Sequence, residues 1–390
     1  MPHEASTVRP IDKPNRVKER PPFECIALLL QGGGALGAYQ GGVYQALAEA
    51  NVLPDWIAGI SIGAINSAII AGNAPEQRVE KLRTFWETVT TSNHVDIKPY
   101  ISGDLAHGMI NQFYAALSMT QGVSGFFKPR VPVPWFHPPG STGATSFFDT
   151  SALKSTLERL VDFDRINNDG MRFSVGAVNV RSGNFVYFDN TRYKIGPEHV
   201  IASGALPPGF PPVEIEGEFY WDGGLVSNTP LDWVLCSDQQ KDTLAFQVDL
   251  WSATGDIPRE MSQVMTRQKE IQYSSRTRAG TDRFREMQKR RYAVANLLDK
   301  IPDELKTLPD VELLKPVAVR KVYNIVELIY HSHGYEGDFK DYEFSRTSME
   351  DHWRAGYFDT VRTLRHEYIL KRPTNGESVQ TFDLSRDGSG

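Results

Sequence analysis

Two uninterrupted apolar runs open the folded part of the chain. Cys25-Ile26-Ala27-Leu28-Leu29-Leu30 and Trp56-Ile57-Ala58-Gly59-Ile60 carry no charge, the pattern of strands buried on both faces. Ala38–Ala50 between them and Ile62–Ala71 after them read as helices. So does Pro75–Thr90, where Val79, Leu82, Phe85, Trp86 and Val89 fall at helical spacing. Met171–Val180 and Asn184–Asp189 alternate and read as two strands joined by Arg181-Ser182-Gly183, and Thr243–Leu250 is a further strand. Strands interleaved with helices predict an α/β fold: a three-layer α/β/α sandwich with a mostly parallel central sheet, plus a largely helical C-terminal region.

Punctuation divides the chain into a flexible leader (1–22), a catalytic unit (23–250), a mostly helical extension (251–372) and a disordered tail (373–390). In the extension, Met261, Val264, Met265 and Ile271 are spaced for one apolar stripe and Phe284, Met287, Val294, Leu297 and Leu298 for another. Val317–Tyr330 reads equally as a strand pair or a short helix, and Met349–Leu370 as an amphipathic helix. Met119–Phe148 is rich in Gly, Pro and aromatics. It reads either as a lid offering aromatics to lipid or as an irregular segment packed on its own domain.

Composition narrows the classes. A net charge of −6 argues against a nucleic-acid binder. Cys25 and Cys236 are the two cysteines, both expected as buried free thiols in a reducing compartment. The leader has no apolar h-region, and no run of about 18 apolar residues occurs, so the expected location is cytoplasmic, with peripheral membrane contact as an extension of it. A basic excess from Arg267 to Arg291, including Arg276, Arg278 and Arg283, reads as a surface for anionic lipid or as a solvated helix face.

The chemistry lies where the two apolar runs end. The first runs into Gln31-Gly32-Gly33-Gly34-Ala35-Leu36-Gly37, the second into Gly59-Ile60-Ser61-Ile62-Gly63. Gly-x-Ser-x-Gly at a strand-to-helix turn is the pattern of a nucleophile elbow. Unhindered N–H groups at Gly33, Gly34 and Ala35 would serve as an oxyanion hole. Gly32, Gly34 and Gly37 also fit a dinucleotide-binding loop, which would make the protein a nucleotide-cofactor oxidoreductase. That reading needs an acidic residue at the end of the second strand, where Ser61 stands; Asp55 falls before the strand. None of the nine histidines sits in an obvious motif, His331-Ser332-His333 included. Phe219-Tyr220-Trp221-Asp222-Gly223-Gly224 ends an aromatic strand in Asp-Gly-Gly, by itself a turn signal.

Taken in order, Gly-Gly-Gly-x-x-Gly, Gly-x-Ser-x-Gly and Asp-Gly-Gly, with Ala202-Ser203…Pro207…Phe210-Pro211-Pro212 before the last, resemble the patatin-like phospholipases over roughly residues 24 to 250. The resemblance implies a patatin-like sandwich and a Ser–Asp dyad without histidine. By motif position Ser61 is the nucleophile, Asp222 the base, and Gly33, Gly34 and Ile62 the oxyanion donors. Leu36 stands where the family often has arginine. The implied activity is hydrolysis of lipid carboxylic esters, of phospholipase A or lysophospholipase type, through an acyl-enzyme that needs no cofactor and no metal. A catalytically silent lipid-binding protein is the third reading. An aspartate in water, with a pKa of about 4, is a poor base for a serine hydroxyl; apolar surroundings at Phe219, Tyr220, Trp221 and Leu225 would raise it.

Overall fold

The computed structural model describes residues 13–90, 103–236, 240–274, 277–332, 336–337, 339–373 and 378–384. Strands β1 (Cys25–Leu30) and β2 (Trp56–Gly59) are buried along their whole length, as their apolar runs require, and pair in parallel with Leu30 opposite Gly59. Helix α1 (Ala38–Glu49) crosses between them; α2 (Ile62–Ala71) and α3 (Arg78–Val89) follow. Next come α4 (Asp104–Gln121), the short antiparallel pair β3 (Lys128–Pro129) and β4 (Phe148–Asp149), α5 (Ser151–Leu160) and α6 (Phe163–Asn168). Strand β5 (Arg172–Asn179) joins β2 in parallel, and β6 (Phe185–Asp189), α7 (Pro197–Ser203), β7 (Val213–Ile215) and β8 (Glu218–Asp222) complete that flank with antiparallel pairings. Helix α8 (Leu231–Leu235) leads to β9 (Thr243–Asp249), parallel to β1 on its other side. The chain continues through α9 (Met261–Tyr273), α10 (Thr277–Leu298), α11 (Pro309–Leu314), β10 (Tyr323–Ile329), α12 (Arg346–Leu364) and β11 (Val379–Asp383).

The sheet order is β11-β10-β9-β1-β2-β5-β8-β7, with β6 also on β5. Alternate residues of β1 enter different cores. Ile26, Leu28 and Leu30 pack with α1, α2 and α12, whereas Cys25, Ala27 and Leu29 pack with Leu231, Val234 and Leu235 of α8 and Phe284 of α10. Helices therefore cover both faces, which is the α/β/α sandwich expected. Among the described residues no helix is long and apolar enough to cross a membrane.

The C-terminal third is largely helical, as expected, but it is not a separate appendage. It is built into the sandwich: β10 pairs with β9, and β11, within the stretch expected to be disordered, pairs with β10 from Val379 to Asp383. Helix α12 is tied to α1 by Trp353 Nε1–H donating to Gln45 Oε1 (2.7 Å) and by the Tyr357 hydroxyl donating to Glu49 (2.7 Å). Val317–Tyr330 holds a single strand, preceded by a 3-10 turn at Lys315–Val317. The stripe Met261, Val264, Met265 and Ile271 faces solvent, because α9 docks through its polar side, with Arg267, Lys269 and Glu270 in ion pairs. Cys25 is buried, but Cys236, one residue past α8, is exposed. Met119–Phe148 divides: Phe126, Phe127 and Phe148 are buried, while Trp135 and Phe136 are 76% and 77% exposed. Arg276 lies outside the described residues, as does the side chain of Arg278.

Candidate active site

Ser61 joins β2 to α2 at φ 54°, ψ −123°. A non-glycine residue at positive φ is strained by about 1–3 kcal/mol and persists only where its surroundings hold it. Here the Ser61 N–H donates to both the carbonyl and the Oγ of Ser203 (3.1 Å each), and the Ser203 hydroxyl donates to Gly176 O at 2.6 Å. The turn closes on two backbones. A Cβ on Gly59 would lie 2.2 Å from Gly63 O, and one on Gly63 2.2 Å from Leu30 O. That is the physical reason for the Gly-x-Ser-x-Gly spacing.

Asp222 ends β8, 2% exposed. Its N–H donates to Ala205 O (3.0 Å), and its Oδ1 accepts from the Gly224 N–H (2.7 Å). The Ser61 side chain stands close enough to its carboxyl group to favour the charged form. Burial nevertheless pushes that carboxyl up to about 7, against the Gly224 N–H and the Ser61 side chain, which pull it down. No histidine among the described residues lines the cavity holding this pair.

The glycine loop is clamped by neutral groups. Gln31, fully buried, uses its whole amide: Oε1 accepts from the N–H groups of Leu250 (2.6 Å) and Trp251 (3.0 Å), and Nε2 donates to Thr229 Oγ1 (3.0 Å) and Tyr273 O (3.2 Å). The Gly32 carbonyl accepts from Trp251 Nε1 (2.9 Å) and Asn228 Nδ2 (3.0 Å). A trans peptide then turns the Gly33 N–H to the opposite side. Below the loop, Trp86 Nε1 donates to Asn66, whose Nδ2 donates to Gln40, whose Nε2 donates to Gln31 O. Ile62 opens α2, so its N–H is a first-turn donor without an intrahelical acceptor.

Gly32, Gly33, Gly34, Ser61, Ile62 and Asp222 all line one cleft of about 780 Å³, mouth included. Ala35, expected as a donor, is buried and does not line it. The cleft is apolar: Phe126, Phe127, Phe148, Phe210 and Phe344 contribute rings whose neighbouring centroids lie 4.9–6.4 Å apart. The C-terminal third adds Tyr273, Asp341 and Tyr342 to the wall, besides Phe344. The Asp341 backbone presses on Gly34 (φ +56°), where a Cβ would lie 2.2 Å from the Asp341 carbonyl oxygen. Two ion pairs hold this segment against α9, Lys269 to Asp341 (2.9 Å) and Lys340 to Glu270 (2.9 Å), with the Lys340 side chain 3% exposed. Burial raises the Asp341 carboxyl above its ordinary range despite Lys269 beside it.

A family model described as patatin-like phospholipase matches residues 28–235, and a second, described as patatin phospholipase, matches 271–376. The chain belongs to the patatin-like phospholipase family. It is 27% identical over 208 residues to human and mouse patatin-like phospholipase domain-containing protein 6, and 25% over 208 residues to mouse patatin-like phospholipase domain-containing protein 7. Each match covers 53% of this chain but 12% of the relative, so the chain corresponds to a small part of those proteins. The crystal structure of VipD from Legionella pneumophila matches with a TM-score of 0.39 at 14% identity, over 88% of this chain and 67% of that one.

Within this patatin-like site, Ser203 was legible only as part of a motif, without a role. Gln31, Gln40 and Asn66 gave one signal: uncharged polar residues inside otherwise apolar segments. Tyr273, Asp341 and Phe344 gave none, because they reach the cleft only through the fold.

Proposed function

We propose that this chain is a serine lipid acyl hydrolase acting on carboxylic esters of the phospholipase A or lysophospholipase type. Ser61 attacks the ester carbonyl as Asp222 takes its proton. The oxyanion is received by the N–H groups of Gly33, Gly34 and Ile62. The leaving alcohol departs with the proton from Asp222. Water, deprotonated by the same carboxylate, then attacks the acyl-enzyme and releases the fatty acid. The observation that carries the reading is Ser61, on a strained backbone turn, beside a buried carboxyl raised to about 7 in a phenylalanine-lined cleft. A base poised near neutrality is what serine activation needs.

The dinucleotide reading loses support at the glycines. Where it needs room for a pyrophosphate, the space beside Gly32, Gly33 and Gly34 is taken by Asn228, Leu250 and the Asp341 carbonyl. Contact with an anionic membrane, on the cytoplasmic side we infer for this chain, draws support from the bare stripe Met261, Val264, Met265 and Ile271, followed by the exposed Arg283, Lys289 and Arg290 on α10.

Ser61→Ala tests the assignment. Ester hydrolysis should vanish while the far-UV circular dichroism and melting temperature hold; turnover near that of the parent protein would refute it.

A further inference from the structure

A second cavity lies behind the active-site cleft. It measures about 1090 Å³, mouth included, and is bounded by Tyr114, Leu117 and Ser118 of α4, by Val123, and by Phe127 and Phe344. Phe127 and Phe344 line the active-site cleft as well. Their rings stand 6.4 Å apart at 75°, and both residues are buried. The two spaces therefore share a wall made of side chains from distant parts of the sequence.

We propose that Phe127 and Phe344 form the end wall of an acyl-chain chamber and that Phe344 sets the longest chain the site accepts. The proposal deepens the lipid hydrolase reading and rests on it. The space in front of the wall is lined by phenylalanines; the space behind it is mixed, with Leu117 and Val123 on one side and Gln121, Ser124 and Lys128 at its rim. The Ser118 hydroxyl there already donates to Tyr114 O at 3.0 Å, so a hydrocarbon chain passing it strands no donor. The two members of the wall are held unequally. Phe127 packs edge-on against Phe148 at 4.9 Å and lies 5.3 Å from Phe210, whereas the ring neighbours of Phe344, Phe126 and Phe127, lie at 6.0 and 6.4 Å. Truncating Phe344 therefore opens the wall and leaves the rest of the aromatic cluster in place.

The test is calorimetric titration of the full-length protein with saturated fatty acids from octanoate to stearate, which bind without being hydrolysed. Affinity should rise with length and then level off. In Phe344→Ala the levelling point should move to longer chains, raising the palmitate-to-octanoate affinity ratio about tenfold, the equivalent of two further buried methylenes. Phe344→Leu should give a smaller shift in the same direction and decides the matter if the alanine variant does not fold. An unchanged levelling point, an equal loss at all lengths, or no binding by any form overturns the proposal. Ester hydrolysis by the parent protein, measured alongside, reports separately on the hydrolase reading.

Discussion

The glycine loop after β1 is held by neutral groups, whereas residues 339–344, which press on it, are held by charges. Gln31, Asn228 and Trp251 fix the loop through uncharged hydrogen bonds between buried or partly buried atoms. Lys269–Asp341 and Lys340–Glu270 fix the facing segment. A neutral network keeps its geometry across pH and adds no charge of its own beside the backbone donors proposed for the oxyanion. A charged latch in a partly dry interface gains little net stability when intact but is costly to break from one side. The catalytic geometry is thus insulated, and its outer wall is the part that a single substitution loosens.

The largest expected effect breaks the insulated half. Asp222→Asn should lower kcat/KM by about a thousandfold or more, since an amide cannot take the serine proton. The same change should stabilise the fold. A carboxyl raised from about 4 to about 7 by burial keeps its proton in the folded state while the unfolded chain has lost it. Stability therefore falls as pH rises between those values and stays reduced above them. At about pH 8 the asparagine variant should gain on the order of a few kcal/mol, measured by urea unfolding. Gly34→Ala comes next. It places a methyl against the Asp341 carbonyl at a positive φ, and displacing one oxyanion donor should reduce kcat about a hundredfold with a smaller change in KM.

The charged half should respond differently. Lys340→Met removes one of the two cations on Glu270, Arg267 (3.1 Å) keeping the other, and should destabilise the protein by about 2 kcal/mol in chemical denaturation. Adding Glu270→Gln should restore part of that, and activity should fall only modestly in either form. Equal losses of activity for Lys340→Met and Gly34→Ala would erase the distinction between the halves. The smallest effect is expected outside both. Met265→Glu on the bare face of α9 should lower activity on anionic vesicles several-fold and leave a short soluble ester unaffected.

Much of the insulated half was legible in the sequence, because each part has a local cause. The apolar runs of β1 and β2 end where glycines must approach another backbone, and Asp222 closes an aromatic strand with the glycines that let it come near. The charged half was not legible. Strand β10 carries Asn324 inside the core, where its Nδ2 donates to the carbonyls of Ile369 (2.8 Å) and Lys371 (2.9 Å). A buried polar residue whose amide nitrogen is bonded only through tertiary contacts breaks the strand's apolar run. Strand β11 is a short edge strand among polar residues and, among the described residues, pairs only with β10. On α9 the apolar positions point outward and the polar ones inward, the reverse of what a hydrophobic stripe predicts.

The central claim, a Ser61 nucleophile driven by a buried Asp222, is tested most directly by fluorophosphonate labelling of the full-length protein, read by peptide mapping and followed against pH. The adduct should sit on Ser61. Its rate of formation should rise about tenfold per pH unit up to about 7 and level off above, and it should collapse in Asp222→Asn. An adduct on another residue, or labelling of Ser61 at an unchanged rate in Asp222→Asn, would contradict the account.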